Sequence, residues 1–239
     1  MNIIILLDSI IYIYDNDSSD DIKSVLKKYV ENGFVTYKYM GGLKRQYDAY
    51  NDALNQYGHK CKYMAFFDAD EFLYCQEGLL DFLDRNLIGK RAGLVVNWMV
   101  YGSSGQKQYT NKLVIDRFKR HSIPNNQKNL HTKIIVKPKY VIGIMNPHFA
   151  IFLPKYYSVN ENLQAENGPL TKVYSGNKFR LNHYFTKSWN EFQEKKNRGK
   201  ADSSNVRTDQ EFNEHDLNDI YDNSMDRYVQ LIYENLKEK

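Results

Sequence analysis

The sequence predicts an α/β protein: a twisted, Rossmann-like mixed sheet with flanking helices and a helical extension at the C-terminus. Three observations lead there. Strand and helix patterns alternate in the order βαβαβ over residues 1–75, strand-like runs broken by turn residues fill most of 76–186, and helical patterns close the chain over 187–239. Strands joined by helical crossovers run parallel with right-handed connections, so the first third is expected to form a parallel layer covered by helices.

Taken in order, "SIIYIYDND" (9–17) is a short β-branched and aromatic strand that runs into a polar turn. "SSDDIKSVLKKYVENG" (18–33) sets Ile22, Val25, Leu26, Tyr29 and Val30 at helical spacing, with Ser and Asp at its start and Gly33 at its end. "FVTYKYM" (34–40) is a second strand, "RQYDAYNDALNQYG" (45–58) a second helix with Tyr47, Tyr50, Leu54 and Tyr57 on one face, and "KYMAFF" (62–67) a third strand. "EGLLDFLDRNL" (77–87) is an amphipathic helix. "GLVVNWMVYG" (93–102), "KLVIDRF" (112–118), "HTKIIVKP" (131–138), "KYVIGI" (139–144) and "NKFRLNHYF" (177–185) read as strands of an antiparallel or mixed extension, with "GSSGQKQ" and "SIPNNQKN" as turn-rich breaks. "SWNEFQEKKNRG" (188–199) is a helix opened by the capping pair Ser188 and Glu191. "DLNDIYDNSMDRYVQLIYENLKEK" (216–239) reads as one helix with Leu217, Ile220, Tyr221, Tyr228, Ile232 and Leu236 as its apolar stripe. The intervening "GKADSSNVRTDQ" is expected to be a mobile loop.

Composition excludes several classes. With 239 residues, 42% of them hydrophobic, the chain has enough apolar material for a sizeable core and is most simply a single domain, 1–239. The 33 basic and 29 acidic residues leave a net charge of +4, far from a polybasic nucleic-acid footprint, and no RNA- or DNA-binding motif is present. The two cysteines, Cys61 and Cys75, have neither zinc-site nor disulfide-framework spacing, which points to reduced thiols and a cytoplasmic setting. "MNIIILL" lacks the basic flank of a signal peptide, and Asp8 interrupts it well before the roughly 20 residues of a membrane span.

Open parallel sheets bind ligands outside the carboxyl ends of their strands. Three polar clusters follow the first three predicted strands: Asp15, Asn16 and Asp17; Lys44 and Arg45; and Asp68, Asp70 and Glu71 in "FFDADEF". Acids at such a rim suit a metal or a ribose, and bases suit phosphate. An Asp-x-Asp pair lets two carboxylates turn toward one oxygen-ligated cation while the middle side chain points away. The bland alternative is a solvated turn that ends a strand.

Taken together, "YDNDSSDD", "RQYDAYNDAL", "YMAFFDADEFL", "NWMVYGSSG", "NPHF" and "NHYFTKSWNEFQEKKNRG" resemble the bacterial-type glycosyltransferases of the family 2 and family 92 group, which have the GT-A fold; the likeness spans roughly residues 10–220. The resemblance implies a metal-dependent transfer from a nucleotide-sugar, a UDP-sugar first, to a glycan, lipid-linked glycan or glycoconjugate acceptor, with inversion at the anomeric carbon. It implies Mn²⁺ or Mg²⁺ at the Asp-x-Asp motif. It also divides the chain into a nucleotide-binding half (1–75), an acceptor-side half (76–186) and C-terminal helices (187–239).

Carried over by residue, the resemblance sets Asp15 and Asp17 near the nucleoside, Asp68 and Asp70 at the metal with Asp70 the direct ligand, and His183 as the imidazole that completes the metal site. His183 reads otherwise as a hydrogen-bonded histidine of a half-buried strand. Lys44 and Arg45 are placed for phosphate contact, or else form a solvated helix start. The loop Gly102–Gly105 approaches the sugar, or is a hairpin turn. For the base that takes the acceptor proton the candidates are Asp116, Glu71 and His148, with Asp116 first. The basic run of Lys187, Lys195, Lys196, Arg198 and Lys200 either closes over the diphosphate and faces a lipid-linked acceptor at the cytoplasmic membrane surface, or is a solvated helix face. Members of the group begin with a further strand where this chain has "MNIIILLDS", so one wall of the nucleotide site is expected to be short. That keeps open a nucleotide-sugar or glycan-binding relative with impaired catalysis. A metal-dependent phosphohydrolase or nucleotidyltransferase would use the same clustered carboxylates and bases.

Overall fold

The computed structural model describes residues 9–42, 44–199 and 206–237. The chain runs through β1 (Ile11–Asp15), α1 (Ile22–Glu31), β2 (Val35–Tyr39), α2 (Gln46–Tyr57), β3 (Met64–Phe66), β4 (Glu71–Cys75), α3 (Leu79–Asn86), β5 (Arg91–Val100), α4 (Val114–Arg117), β6 (Arg120–His121) and β7 (Thr132–Val136). It continues through β8 (Val141–Asn146), β9 (Phe149–Phe152), β10 (Tyr157–Val159), β11 (Ala165–Glu166), β12 (Phe179–His183), α5 (Trp189–Arg198), α6 (Asp209–His215), β13 (Ile220–Tyr221) and α7 (Asp226–Lys237). This is the mixed α/β class expected, with a twisted mixed sheet at its centre.

β5 organises that sheet. Its first half lies between β10, parallel to it, and β7, antiparallel to it, and its last residues, Trp98 to Val100, pair in parallel with β12. β12 in turn pairs antiparallel with β4, which sets His183 directly opposite Glu71. Apolar side chains fill both faces. Phe82, Leu83 and Leu87 from α3 and the segment after it pack on Leu94, Val96, Ile135 and Leu181, whereas Leu54 of α2 packs with Met64, Phe66, Val95 and Ile134 on another cluster. Each fully buried side chain of this kind contributes roughly 1.5–3 kcal/mol.

The first two strands pair in parallel, Ile11 opposite Val35 through Asp15 opposite Tyr39, with α1 as the crossover. Asp21 caps α1 by accepting from the Ser24 amide at 3.2 Å, and Gly33 takes the left-handed backbone (φ 74°) that closes it. The ladder then breaks from expectation. β3 does not extend the β1–β2 pair; it pairs antiparallel with β7, some 70 residues later, and so joins the sheet built on β5.

Four other expectations are corrected. Glu71, placed in the polar cluster that follows the third strand, instead opens strand β4, Glu71–Cys75. "KLVIDRF" is not a strand but carries the single helical turn α4, with Ile115 and the Arg117 side chain buried. The closing helix is broken: Asp216 and Asn218 accept from the Ser103 and Ser104 amides at 2.5 and 2.7 Å, which pulls residues 216–218 out of any helix, and α7 starts only at Asp226. Asp209 and Gln210, assigned to a mobile loop, open α6 behind the N-cap Thr208. The short N-terminal wall, the side chain of Leu236 and Lys200 lie outside the described residues. The helix at Ser188 holds as expected, with both hydrogen bonds of its capping box present.

Candidate active site

Between β3 and β4 the chain turns through Asp68, Ala69 and Asp70, and the Glu71 amide donates to the Asp68 carbonyl at 3.0 Å. That turn delivers three carboxylates to one place, and each meets a different environment.

Asp68 is held from three sides. Its Oδ1 accepts from Gln46 Nε2 at 2.7 Å and from the Tyr50 hydroxyl at 3.0 Å, both on α2, and its Oδ2 accepts from Lys133 Nζ at 2.9 Å. Glu71 is buried; its carboxylate accepts from the Trp98 indole N–H at 2.8 Å and from the Asp68 amide at 2.9 Å, with Lys133 Nζ 3.7 Å away. Burial, and then the neighbouring Asp68 charge, push the Glu71 carboxyl well above its usual range. Lys133 is fully buried on β7, and Glu71 and Asp68 overcome the cost of that burial to hold its ammonium charged.

Asp70 is the third carboxylate. Its backbone carbonyl accepts from the Tyr184 amide at 2.9 Å, which fastens the turn to the end of β12. Its Oδ2 accepts from Lys195 Nζ at 2.6 Å, while its Oδ1 faces His183 Nε2 at 3.8 Å and accepts no hydrogen bond from the described residues. Burial opposes ionisation of Asp70, but Lys195 and Lys187 outweigh it and hold the carboxyl far below its ordinary range. Burial pushes the His183 imidazole down to about 3, so it is neutral at physiological pH; its Nδ1 is buried without a hydrogen-bond partner. Lys195 also donates to the Phe185 carbonyl at 3.0 Å and sits 4.1 Å above the Phe185 ring.

Trp98 forms the floor beside these groups. Its ring lies 4.1 Å from His183, 4.9 Å from His131 and 5.2 Å from His148 by centroids. His148 is positioned by a 2.8 Å hydrogen bond from Nδ1–H to the Thr132 carbonyl, the tautomer assigned from that contact, which leaves Nε2 as an acceptor. Burial, and then Lys133, push the His148 imidazole down to about 4.

Among the described residues no three His, Cys, Asp or Glu side chains converge to hold a metal ion. Asp68 spends both oxygens on Gln46, Tyr50 and Lys133. Two donors face each other with no hydrogen bond to either among the described residues, Asp70 Oδ1 and His183 Nε2. One carboxylate and one neutral imidazole suit Mn²⁺ better than Mg²⁺, which prefers an all-oxygen shell, and water and substrate phosphate oxygens would take the remaining positions. The fit is to Asp70 and His183, without Asp68.

The other sequence-derived residues are placed as follows. Asp15 is buried and accepts from the Tyr37 hydroxyl at 2.6 Å and the Ser18 amide at 2.9 Å. Asp17 is exposed and accepts from the Tyr39 hydroxyl at 2.5 Å and the Gly42 amide at 2.7 Å. Both therefore knit the loop after β1 onto β2 and the loop beyond it. Arg45 stands at the start of α2 without a side-chain capping bond and pairs with Asp48 at 2.6 Å, and Lys44 next to it is exposed. Asp17, Lys44 and Lys187 all hold left-handed backbone, with φ of 56°, 57° and 52°, a conformation that costs non-glycine residues energy. Asp116 is not brought to this cluster: it lies 3.5 Å from Lys119, which also binds Asp226 of α7. In the basic run, Lys195 turns into the site and Lys196 pairs with Asp209 at 2.8 Å.

Sequence reasoning missed Lys133, Gln46, Tyr50 and Trp98. A signal existed for the first. Lys133 interrupts an apolar run in "HTKIIVKP", and a lysine inside a strand that proves buried along its whole length, Thr132–Val136, has to be paired with something.

A family model described as "Glycosyltransferase family 92" matches residues 3–215, a span that contains every residue of this cluster. No curated protein matches the chain.

Proposed function

The chain belongs to glycosyltransferase family 92, and from that premise we propose that it is a metal-dependent enzyme that moves a sugar from a nucleotide-sugar, a UDP-sugar first, to a hydroxyl of a glycan, lipid-linked glycan or glycoconjugate, with inversion. The observation that carries this reading is the environment of Asp70: an ionised carboxylate with one free oxygen 3.8 Å from a neutral imidazole and its other oxygen on a lysine. On this reading Asp70 and His183 hold Mn²⁺ or Mg²⁺, which when bound supplies positive charge to the leaving diphosphate. Lys195 and Lys187 add to that charge, and Asp15, Asp17, Lys44 and Arg45 line the approach of the nucleotide from residues 1–75. Developing negative charge on a leaving group is best met by cations already in place.

Of the three candidate bases, His148 has the best support. It is half-buried, neutral and keeps Nε2 free to accept a proton, whereas both Glu71 oxygens are engaged and Asp116 is paired with Lys119. The cytoplasm, with free Cys61 and Cys75, is the proposed setting. The pairing of Asp70 with Lys195 also favours a second reading, in which the lysine stands in for the cation and the chain binds a nucleotide-sugar without turnover.

Thermal midpoints with a panel of UDP- and GDP-sugars, with and without Mn²⁺, separate the two, because a ligand that binds only the folded chain raises the midpoint. A metal-dependent rise with one donor, lost in Asp70→Asn and weakened in His183→Ala, supports the transferase. A rise that ignores Mn²⁺ and survives in Asp70→Asn overturns the metal assignment.

A further inference from the structure

At the end of the sheet away from the Asp68–Asp70 turn, four segments meet that the site does not use. Residues 58–63 lead into β3, 84–91 into β5, 137–142 run from β7 into β8, and 153–157 connect β9 to β10. The strand registers bring them together: Val136 lies opposite both Met64 and Gly93, Phe152 opposite Val141, and Tyr157 opposite Arg91. Backbone hydrogen bonds tie them, from Lys137 to Ala92 at 2.7 Å, Leu153 to Tyr140 at 2.9 Å and Tyr157 to Lys90 at 3.1 Å.

Charge is concentrated here. Eight residues of these segments are Lys or Arg and one is acidic, Asp84, already bound by Lys62 at 2.7 Å and the Tyr63 hydroxyl at 2.6 Å. The net charge of the whole chain is +4, so this rim carries a larger excess than the molecule does and the remainder is net acidic. The Lys139 ammonium beside Tyr140 draws that phenol below its usual range.

Apolar groups are set among the cations. Ile88, Ile142 and Leu153 are 54%, 60% and 40% exposed, and Tyr140 stacks on Tyr156 at 3.9 Å. A soluble polyanion needs only the cations. Exposed aliphatic side chains and tyrosines between lysines match the boundary between lipid headgroups and acyl chains, and cations match the charge of anionic lipids.

We propose that this rim docks the protein on an anionic lipid surface. Trp98 at the site lies seven steps along β5 from Arg91 on the rim, about 23 Å at a strand rise of ~3.3 Å per residue, so docking leaves the site open on the side away from the lipid. This surface differs from the α5 lysines, two of whose members are committed to Asp70 and Asp209.

The test is flotation of the full chain with vesicles of phosphatidylcholine alone or with 30% phosphatidylglycerol, at low and high salt. The wild type should float with the anionic vesicles at low salt only. A Lys60→Gln, Lys139→Gln, Lys155→Gln variant should bind about 100-fold more weakly, from roughly fivefold per lysine near the surface, at an unchanged thermal midpoint, and Ile142→Ser should also bind more weakly. No flotation, equal flotation with neutral vesicles, or a triple variant that floats like the wild type overturns the proposal. Retention on a heparin column without flotation also overturns it, in favour of a polyanion site. Flotation reads binding alone, so its result stands apart from the transferase assay.

Discussion

Replacing Lys133 with Met isolates the charge that holds the acidic turn together. The ammonium is fully buried, 2.9 Å from Asp68 and 3.7 Å from Glu71. Methionine nearly conserves volume, so repacking costs less than ~1.5 kcal/mol. Stranding the partners of a buried ion pair costs about 3–5 kcal/mol. The Asp68 side chain is 36% exposed, which lets water take up part of its charge and favours the lower end, about 3 kcal/mol. For a chain of this size that corresponds to a fall of roughly 6–12 °C in the thermal midpoint at pH 8.

The deficit should depend on pH in a defined sense. A carboxyl whose folded pKa is raised contributes stability that is complete below its unfolded value, near 4.5, and is lost as pH rises through the folded value. Removing Lys133 raises the folded value of Glu71 further, so the variant's deficit should be small at pH 5 and largest at pH 8. Urea unfolding at both pH values, with Glu71→Gln added in a double-mutant cycle, checks this. The double variant should recover part of the loss. A deficit below 1 kcal/mol at pH 8, or a double variant no more stable than Lys133→Met, would refute Lys133 as the counter-charge of the turn.

Lys195→Gln should leave the fold intact and weaken donor binding roughly tenfold or more, the equivalent of one charge-assisted hydrogen bond; equal affinity by calorimetry would return Lys195 to a purely structural role. Burial pushes His148, His183 and His215 down to about 4, 3 and 4, so the unfolded chain binds protons that the native chain refuses. Stability should therefore fall as pH drops below about 6.5, with a slope approaching ~1.4 kcal/mol per pH unit for each imidazole, and a urea midpoint that is the same at pH 7.5 and 5.5 would contradict the burial of these rings. Ser188→Ala removes the side-chain cap of α5 and should cost about 1 kcal/mol; a loss under 0.3 kcal/mol by urea unfolding would mean that Arg117, paired with Glu191 at 2.6 Å, fixes the helix start unaided.

Local signals were legible in the sequence. β1, β2, α2 and α5 lie within a residue or two of their expected limits, and α1 ends so but starts at Ile22, behind the Ser and Asp residues that open its segment, because each is defined by its own periodicity and caps. What could not be read depends on distant partners. β3 looks like a third parallel strand until β7 supplies an antiparallel edge, and "DLNDIY" looks helical until the amides of Ser103 and Ser104 claim Asp216 and Asn218. "KLVIDRF" has strand composition, yet Arg117 must reach Glu191 and its backbone coils to get there. The same division holds at the site. Asp68, Asp70, Glu71 and His183 were visible as motifs and are gathered in space, but the division of labour between Asp68 and Asp70 is set by Lys133, which no motif marks, and by Lys195, which stood in the basic run with no carboxylate assigned to it.

The partners of the acidic turn also set an order of events during synthesis. Lys133 follows Asp68 by 65 residues and Lys195 follows Asp70 by 125. At ribosomal rates of about 5–20 residues per second, Asp70 leaves the tunnel on the order of ten seconds before its cation exists. A nascent chain that has passed Lys133 but is short of α5 therefore carries Asp70 without the lysine it is paired with in the finished fold. The cluster closes only once α5 has been made, which ties the ion pairs of the turn to one of the later helices of the fold.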